Sequence, residues 1–125
     1  MVKTLLIIGT GGFFGSVSRY LATIYIHRYL PASFPYGTFT VNIIGCFLIG
    51  LFYGLADKGS MLSNEWRMFL TIGFCGGFTT FSTFANDNLA LMRDGAFVYL
   101  SIYTGLSVAL GLLAAYLGSL LIRLL

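Results

Sequence analysis

The sequence predicts an all-α membrane protein with four transmembrane helices in each subunit. Hydrophobic residues make up 58% of the chain and charged residues only 9%, whereas a soluble domain carries about 25% charged residues. The apolar residues form four stretches, each near the ~20 residues that cross the hydrocarbon as a helix. Short segments that hold most of the charge separate them. We therefore expect one membrane domain over residues 1–125, with spans at about 4–27, 36–56, 67–92 and 96–123.

Four spans within these 125 residues leave no room for a soluble catalytic or nucleic-acid-binding domain, so the net charge of +3 belongs to the membrane edges. We expect no enzymatic activity and no nucleic-acid partner, with the lipid bilayer as the surroundings. No lysine lies within a span to activate a hydroxyl such as that of Ser82, and the single histidine, His27, is at a boundary.

The basic residues are distributed almost evenly between the two membrane sides. Four of them share one side and two share the other: Lys3, Lys58, Arg67 and Arg123 against Arg28 and Arg93. A bias this weak permits insertion in both orientations. Two oppositely oriented copies can then pair about a two-fold axis in the membrane plane, which is the symmetry of inverted-repeat transporters.

Small residues recur at a spacing of four in every span, and such residues let helix backbones approach closely in lipid. The pairs are Gly11 and Gly15, Gly50 and Gly54, Gly73 and Gly77, and Ala114 and Gly118. The sequence leaves two interpretations open for them, helix packing inside the subunit and a dimer interface.

Several polar side chains lie within the spans, where the bilayer makes them expensive. Arg19 either extends toward the nearer interface or borders an anion path, since a basic group at the helix centre costs about 2.5–3.5 kcal/mol. Asn42, in the second span, either bonds to another helix or serves a site. In the fourth span Tyr103 and Ser107 belong to a stripe of hydroxyls at every fourth residue. Cys46 and Cys75 lie near span centres and are interpreted as small buried apolar residues.

Acidic residues are nearly absent from the spans. Small multidrug exporters driven by protons rely on a membrane-embedded carboxylate, typically in the first span, where this chain has Arg19 and no acid. The one acid that could reach membrane depth is Asp87, near the end of the third span. A transported organic cation would therefore meet no counter-charge, so an exporter is the weaker alternative, and a non-transporting scaffold subunit is a third.

The third span contains the segment "GFCGGFTTFSTF" at residues 73–84, which predicts a break in the helix. Gly76 and Gly77 precede Thr79 and Thr80, and all four are poor helix formers. Non-helical backbone is tolerated at membrane depth only when it is buried in protein or lines a cavity. Its freed carbonyls can coordinate a cation such as sodium.

The residues after the break suit a small anion. Phe81 and Phe84 are three residues apart and so share a helix face. Four hydroxyl donors lie beside or between them, on Thr79, Thr80, Ser82 and Thr83. The edge of a phenyl ring is electropositive and can contact an anion weakly. Weak successive contacts favour conduction, because an ion must leave as readily as it enters.

Three motifs together resemble the fluoride channel family known as Fluc or CrcB. They are "GSVSRY" at 15–20, "GTFTVNIIGCFLIG" at 37–50 and "GGFTTFSTF" at 76–84. The resemblance also covers chain length, the four spans and the break in the third. It implies an antiparallel, dual-topology homodimer with two pores, which lets fluoride leave the cell passively through the inner membrane and so prevents its toxic accumulation.

The resemblance also implies roles for individual residues. The fluoride pore would be lined by Asn42, Phe81, Ser82, Thr83, Phe84, Tyr103 and Ser107, with Arg19 near its vestibule. The backbone carbonyls of Gly76 and Thr79 from both subunits would hold a structural sodium ion at the dimer centre. Two positions depart from the family pattern, namely Ala85 in place of a frequent serine and Asp87 in place of a frequent glutamate. The shorter carboxylate of Asp87 puts the reach of its contacts in question.

Overall fold

A computed structural model describes residues 1–59 and 61–125, and all regular secondary structure in these residues is helical. The helices are α1 (Val2–Tyr29), α2 (Tyr36–Asp57), α3 (Asn64–Arg67), a π-helix (Met68–Cys75), α4 (Gly76–Phe78), α5 (Phe81–Arg93) and α6 (Phe97–Leu124). Within the described part of the chain, four stretches are long and apolar enough to cross a membrane: α1, α2, the composite third span Asn64–Arg93, and α6. The predicted all-helical class and the four spans are confirmed.

The third span consists of four helical segments in succession. It starts at α3, where Ser63 caps the helix by accepting the amide of Trp66 at 3.3 Å. The chain then runs through eight residues of π-helix, a wide form that is rare and concentrates near functional sites. After the short α4 it is interrupted at Thr79 and Thr80 and resumes as α5. The predicted break in the third span is confirmed.

The first half of the third span packs against α1 through glycines on both sides. A Cβ built on Gly15 would lie 2.1 Å from the carbonyl oxygen of Phe74, and one on Gly11 would lie 2.4 Å from that of Phe69. From the opposite side, a Cβ on Gly77 would lie 2.6 Å from the carbonyl oxygen of Gly12. The two backbones are therefore in direct contact, which only glycine permits.

Close contacts between glycines and backbone also join α2 to α6 along most of their length. A Cβ on Gly50 would lie 2.0 Å from the carbonyl oxygen of Ala115, and one on Gly118 would lie 2.2 Å from that of Phe47. The small-residue pairs that the sequence left open are therefore used for packing inside one subunit.

The aromatic core lies at one end of the bundle. The segment between α1 and α2 turns inward so that Phe34 is buried, and its ring meets the ring of Tyr103 edge to face at 5.5 Å. Leu91 of α5 belongs to the same cluster. Because Phe34 links the α1–α2 connection to both α5 and α6, this cluster fixes where the second half of the third span lies.

Candidate functional site

A groove of about 410 Å³ runs between α2, the broken third span and α6. Its lining residues are Asn42, Gly45, Cys46, Ile49, Thr71, Cys75, Gly76, Thr79, Thr80, Phe81, Phe84, Ser107 and Val108. None of these described lining residues carries a charge. The groove thus combines hydroxyl, carboxamide and backbone groups with aromatic rings, without a fixed counter-ion.

The break itself lies at Thr79 and Thr80, both of which are extended (φ −88°, ψ 157° and φ −152°, ψ 121°). Gly76, by contrast, has helical angles (φ −62°, ψ −36°) and begins α4. Of the four poor helix formers from which the break was predicted, the glycines are thus helical and only the threonines are extended. Gly77 serves the contact with α1, and the interruption falls on the two threonines that follow.

Asn42 bonds to both polar backbone groups of Thr80. Its Nδ2 donates to the carbonyl oxygen of Thr80 at 3.1 Å, and its Oδ1 accepts the amide of Thr80 at 2.9 Å. The side chain of Thr80 in turn caps α5, since its Oγ1 accepts the amide of Thr83 at 3.2 Å. The amide and carbonyl of Thr80 are thus both satisfied by the Asn42 side chain, which suits extended backbone at membrane depth.

Arg19 reaches the same region from α1. Its Nε donates to the carbonyl oxygen of Gly77 at 3.0 Å, and the side chain is partly buried. The two sequence interpretations, extension toward the interface and a charge bordering an anion path, both overlooked this bond. Arg19 does not line the groove, and its described contact stabilises the turn just before the break.

Phe81 and Phe84 begin α5 and both line the groove. Their ring centroids are 5.7 Å apart, and the planes are tilted by 42°. Phe84 also packs against Tyr103 at 5.0 Å, whereas the Phe81 residue is 79% exposed in the isolated subunit. The predicted pair is therefore brought together at the groove, with one ring held inside the subunit and the other projecting from it.

Ser107 lines this groove and carries a buried hydroxyl without a partner among the described residues. Serines within helices commonly donate to the carbonyl four residues earlier, as Ser101 does to Phe97 at 2.9 Å. The Oγ of Ser107 is buried and has no hydrogen-bond partner among the described residues. A buried hydroxyl without a partner is unfavourable, so this atom is suited to a bound polar species.

Tyr103 is fully buried and faces α5. Its hydroxyl donates to Oδ2 of Asp87 at 3.0 Å, and one residue further along each helix Thr104 donates to Oδ1 of Asn88 at 3.0 Å. The sequence left the reach of Asp87 in question, and in the structure this shorter carboxylate meets Tyr103. Tyr103 itself is not among the groove-lining residues.

Tyr103→Phe is expected to destabilise the folded protein by about 1.5–3 kcal/mol, because it removes a buried hydrogen bond to a carboxylate. The change should lower the midpoint of thermal unfolding in detergent. Tyr116→Phe is the matched control, since Tyr116 lies on the same helix and is 58% exposed. Equal midpoints for the two variants would show that the bond to Asp87 contributes nothing.

The remaining predicted residues lie around the break. Gly76 and Thr79 both line the groove. Ser82 and Thr83 do not line it. The Oγ of Ser82 lies 3.3 Å, and the Oγ1 of Thr83 3.2 Å, from Oγ1 of Thr80. Sequence reasoning did not name Thr80 or Asp87 as site residues, although "TTF" at the start of an apolar turn is a recognisable N-cap pattern. The roles of all these residues in conduction stay predictions.

The model of the family described as CrcB-like protein, camphor resistance (CrcB), matches residues 6–119. The chain belongs to this family. The family that the sequence motifs indicated is thus confirmed, and the match includes the whole of the second and third spans and most of the first and fourth.

Relatives from three organisms are similar to this CrcB-family chain over nearly its whole length. A protein of Phocaeicola vulgatus is 51% identical over 117 residues, covering 94% of this chain and 96% of its own. A protein of Chlorobaculum tepidum is 47% identical, covering 99% of this chain and 98% of its own. A protein of Flavobacterium psychrophilum is 46% identical, covering 94% of each chain. All three bear the name fluoride-specific ion channel FluC, so these relatives are ion channels.

Proposed function

We propose that the chain is a subunit of a fluoride-selective channel that lets fluoride leave the cell passively across the inner membrane. The observation that carries this proposal is the groove, which joins the Phe81 and Phe84 rings to the unpaired hydroxyl of Ser107. Electropositive ring edges and a hydroxyl donor are groups that favour a small, strongly hydrated anion. The names of the relatives identify fluoride as that anion.

The lining residues that the structure describes include no lysine or arginine, which suits passive conduction. A cationic side chain would hold the anion tightly, whereas ring edges and neutral donors offer weak successive contacts that allow release. Asn42 uses one N–H of its carboxamide on Thr80, and its second N–H remains for the path. We infer that Ser107, Asn42 and the phenylalanines contact fluoride in turn, with Ser82, Thr83, Tyr103 and Arg19 supporting or bordering this path.

A second copy of the chain is expected to complete the groove. Polar groups such as those of Asn42 and Thr80 cannot face lipid acyl chains, and the highly exposed Phe81 shows that one subunit leaves this side open. The weak charge bias supports an antiparallel arrangement with dual topology, in which each subunit covers the other. The exposed ring of Phe81 would then pack at the path of the dimer.

The carbonyls of Gly76 and Thr79 fit a structural sodium ion. In an uninterrupted α-helix the amides of Thr80 and Thr83 would bond to these two carbonyls, four residues earlier. Here those amides go to Oδ1 of Asn42 and Oγ1 of Thr80. Freed carbonyl oxygens of unwound backbone are ligands for sodium. One sodium ion bound by these carbonyls in both copies would hold the two interrupted spans together.

The proton-coupled exporter is disfavoured by the same groove. Such an exporter needs a titrating carboxylate in its transport path, and the described lining residues include no aspartate or glutamate. Asp87 is engaged by Tyr103 instead.

Fluoride efflux from liposomes that contain the purified protein tests the proposal. With a fluoride electrode outside, no proton gradient and chloride as the control anion, we expect rapid loss of fluoride and retention of chloride. Liposomes that retain fluoride would contradict the channel, and efflux that requires an opposing proton gradient would favour the exporter.

A further inference from the structure

The peptide groups around Thr80 are held by one side chain from another helix. Asn42 of α2 accepts from the amide of Thr80 and donates to its carbonyl, at 2.9 and 3.1 Å. This is the two-bond pattern with which one strand residue pairs with another. It uses both ends of the carboxamide, so neither an apolar residue nor an acid of the same shape reproduces it.

The position of Asn42 depends on a glycine three residues further along α2. A Cβ on Gly45 would lie 2.1 Å from Cγ2 of Thr79 and 3.3 Å from the ring of Phe78. Gly45 therefore lets α2 approach the extended backbone closely enough for Asn42 to reach Thr80. Both residues lie on the face of α2 that lines the groove.

We infer that Asn42 is a positioning residue whose carboxamide holds the third span open at Thr80. By taking the amide of Thr80, it prevents that amide from returning to the carbonyl of Gly76 and continuing the helix. By taking the carbonyl as well, it fixes the peptide plane at which α5 starts, and hence the direction of Phe81. In addition to the fluoride contact proposed for its second N–H, Asn42 thus acts on the path through the backbone of Thr80. The part of this inference that concerns flux and sodium rests on the proposed function.

The bond itself is tested by NMR on protein with ¹⁵N-labelled threonine. In Asn42→Ala the Thr80 amide loses its acceptor, so its resonance should move more than that of any other threonine. Asn42→Asp keeps an acceptor, so the Thr80 amide should stay hydrogen-bonded. Asn88→Ala is the matched control, because Asn88 also donates to a backbone carbonyl, that of Phe84 at 3.2 Å, away from the break. An unmoved Thr80 resonance in Asn42→Ala would overturn the inference.

A measurement on the unchanged protein covers the case in which Asn42→Ala does not fold. The bonded carboxamide of Asn42 should exchange hydrogen slowly in comparison with that of Asn86, which is exposed on α5. Exchange of the Asn42 carboxamide as fast as that of Asn86 would overturn the inference without any variant.

The consequence for transport is read from fluoride efflux at varied sodium, with potassium as replacement. Asn42→Ala should slow fluoride efflux about tenfold or more and raise the sodium concentration needed for half the maximal rate. The efflux rate of Asn88→Ala should stay within about threefold of that of the unchanged protein. A role in folding alone would lower the amount of active protein and leave the sodium dependence unchanged. If the unchanged protein passes no fluoride, the proposed function fails, and the NMR comparison still decides the role of Asn42.

Discussion

Replacing Phe81 or Phe84 with isoleucine is expected to slow fluoride efflux by about tenfold or more, a rise of at least ~1.4 kcal/mol in the barrier to permeation. Isoleucine keeps an apolar side chain but has no electropositive edge, so a dehydrated anion loses its contact at that point. The two rings lie 5.7 Å apart at one side of the groove, and we expect each substitution alone to interrupt the path.

Phe14→Ile provides the control for packing. Phe14 is 49% exposed and packs against Phe13 at a centroid distance of 5.5 Å, away from the groove. Phe81→Ile is the cleaner of the two tests, because the exposed Phe81 makes few contacts inside its subunit, whereas Phe84 also supports Tyr103. Efflux reduced equally by Phe14→Ile and Phe81→Ile would mean that the phenylalanines serve packing alone.

Gly15→Ala is expected to destabilise the subunit by about 1–3 kcal/mol or more, the range for overpacking a well-packed interior. The added methyl would lie 2.1 Å from the carbonyl oxygen of Phe74 and 2.9 Å from the amide nitrogen of Phe78. Both atoms are backbone, so relief requires α1 and the third span to separate. Because Arg19 holds Gly77 from the same face of α1, this separation should also disturb the break and reduce efflux.

Gly9→Ala is the matched control on the same helix. Nothing lies within 4 Å of a Cβ built there, and alanine is favoured over glycine in a helix by about 1 kcal/mol. Thermal unfolding should therefore show a lowered midpoint for Gly15→Ala and an unchanged or raised one for Gly9→Ala. Gly118→Ala, which meets the carbonyl of Phe47 at 2.2 Å, should repeat the loss at the α2–α6 contact. A midpoint unchanged by both Gly15→Ala and Gly118→Ala would contradict the close backbone packing.

Much of the candidate site could be anticipated from short motifs, because the bilayer restricts what a polar residue in a span can mean. "GGFTTFSTF" indicated a break followed by a phenylalanine pair, and both are present. The reason for the break was not anticipated. Local propensity pointed to Gly76, Gly77, Thr79 and Thr80 together, yet the two glycines remain helical and only the threonines are extended. Asn42 from α2 binds both polar backbone groups of Thr80.

The pairing of charged residues also depended on neighbours that are distant in sequence. Arg19 had two sequence interpretations, and its bond to the carbonyl of Gly77 requires α1 to lie against the third span. Asp87 and Tyr103 are 16 residues apart on different helices. Neither contact has a local signature, since each depends on how two helices are rotated toward one another.

The sequence by itself determined the membrane class, the four spans, the position of the interruption to within a few residues and the family. These follow from hydrophobic length and from the chemistry of single segments, which act locally. The tertiary structure decided that the glycine pairs serve contacts inside the subunit, that Asn42 holds Thr80 and that Asp87 binds Tyr103. Small-residue spacing fits an intramolecular and an intermolecular helix contact equally well, and only the three-dimensional packing selects the partner backbone.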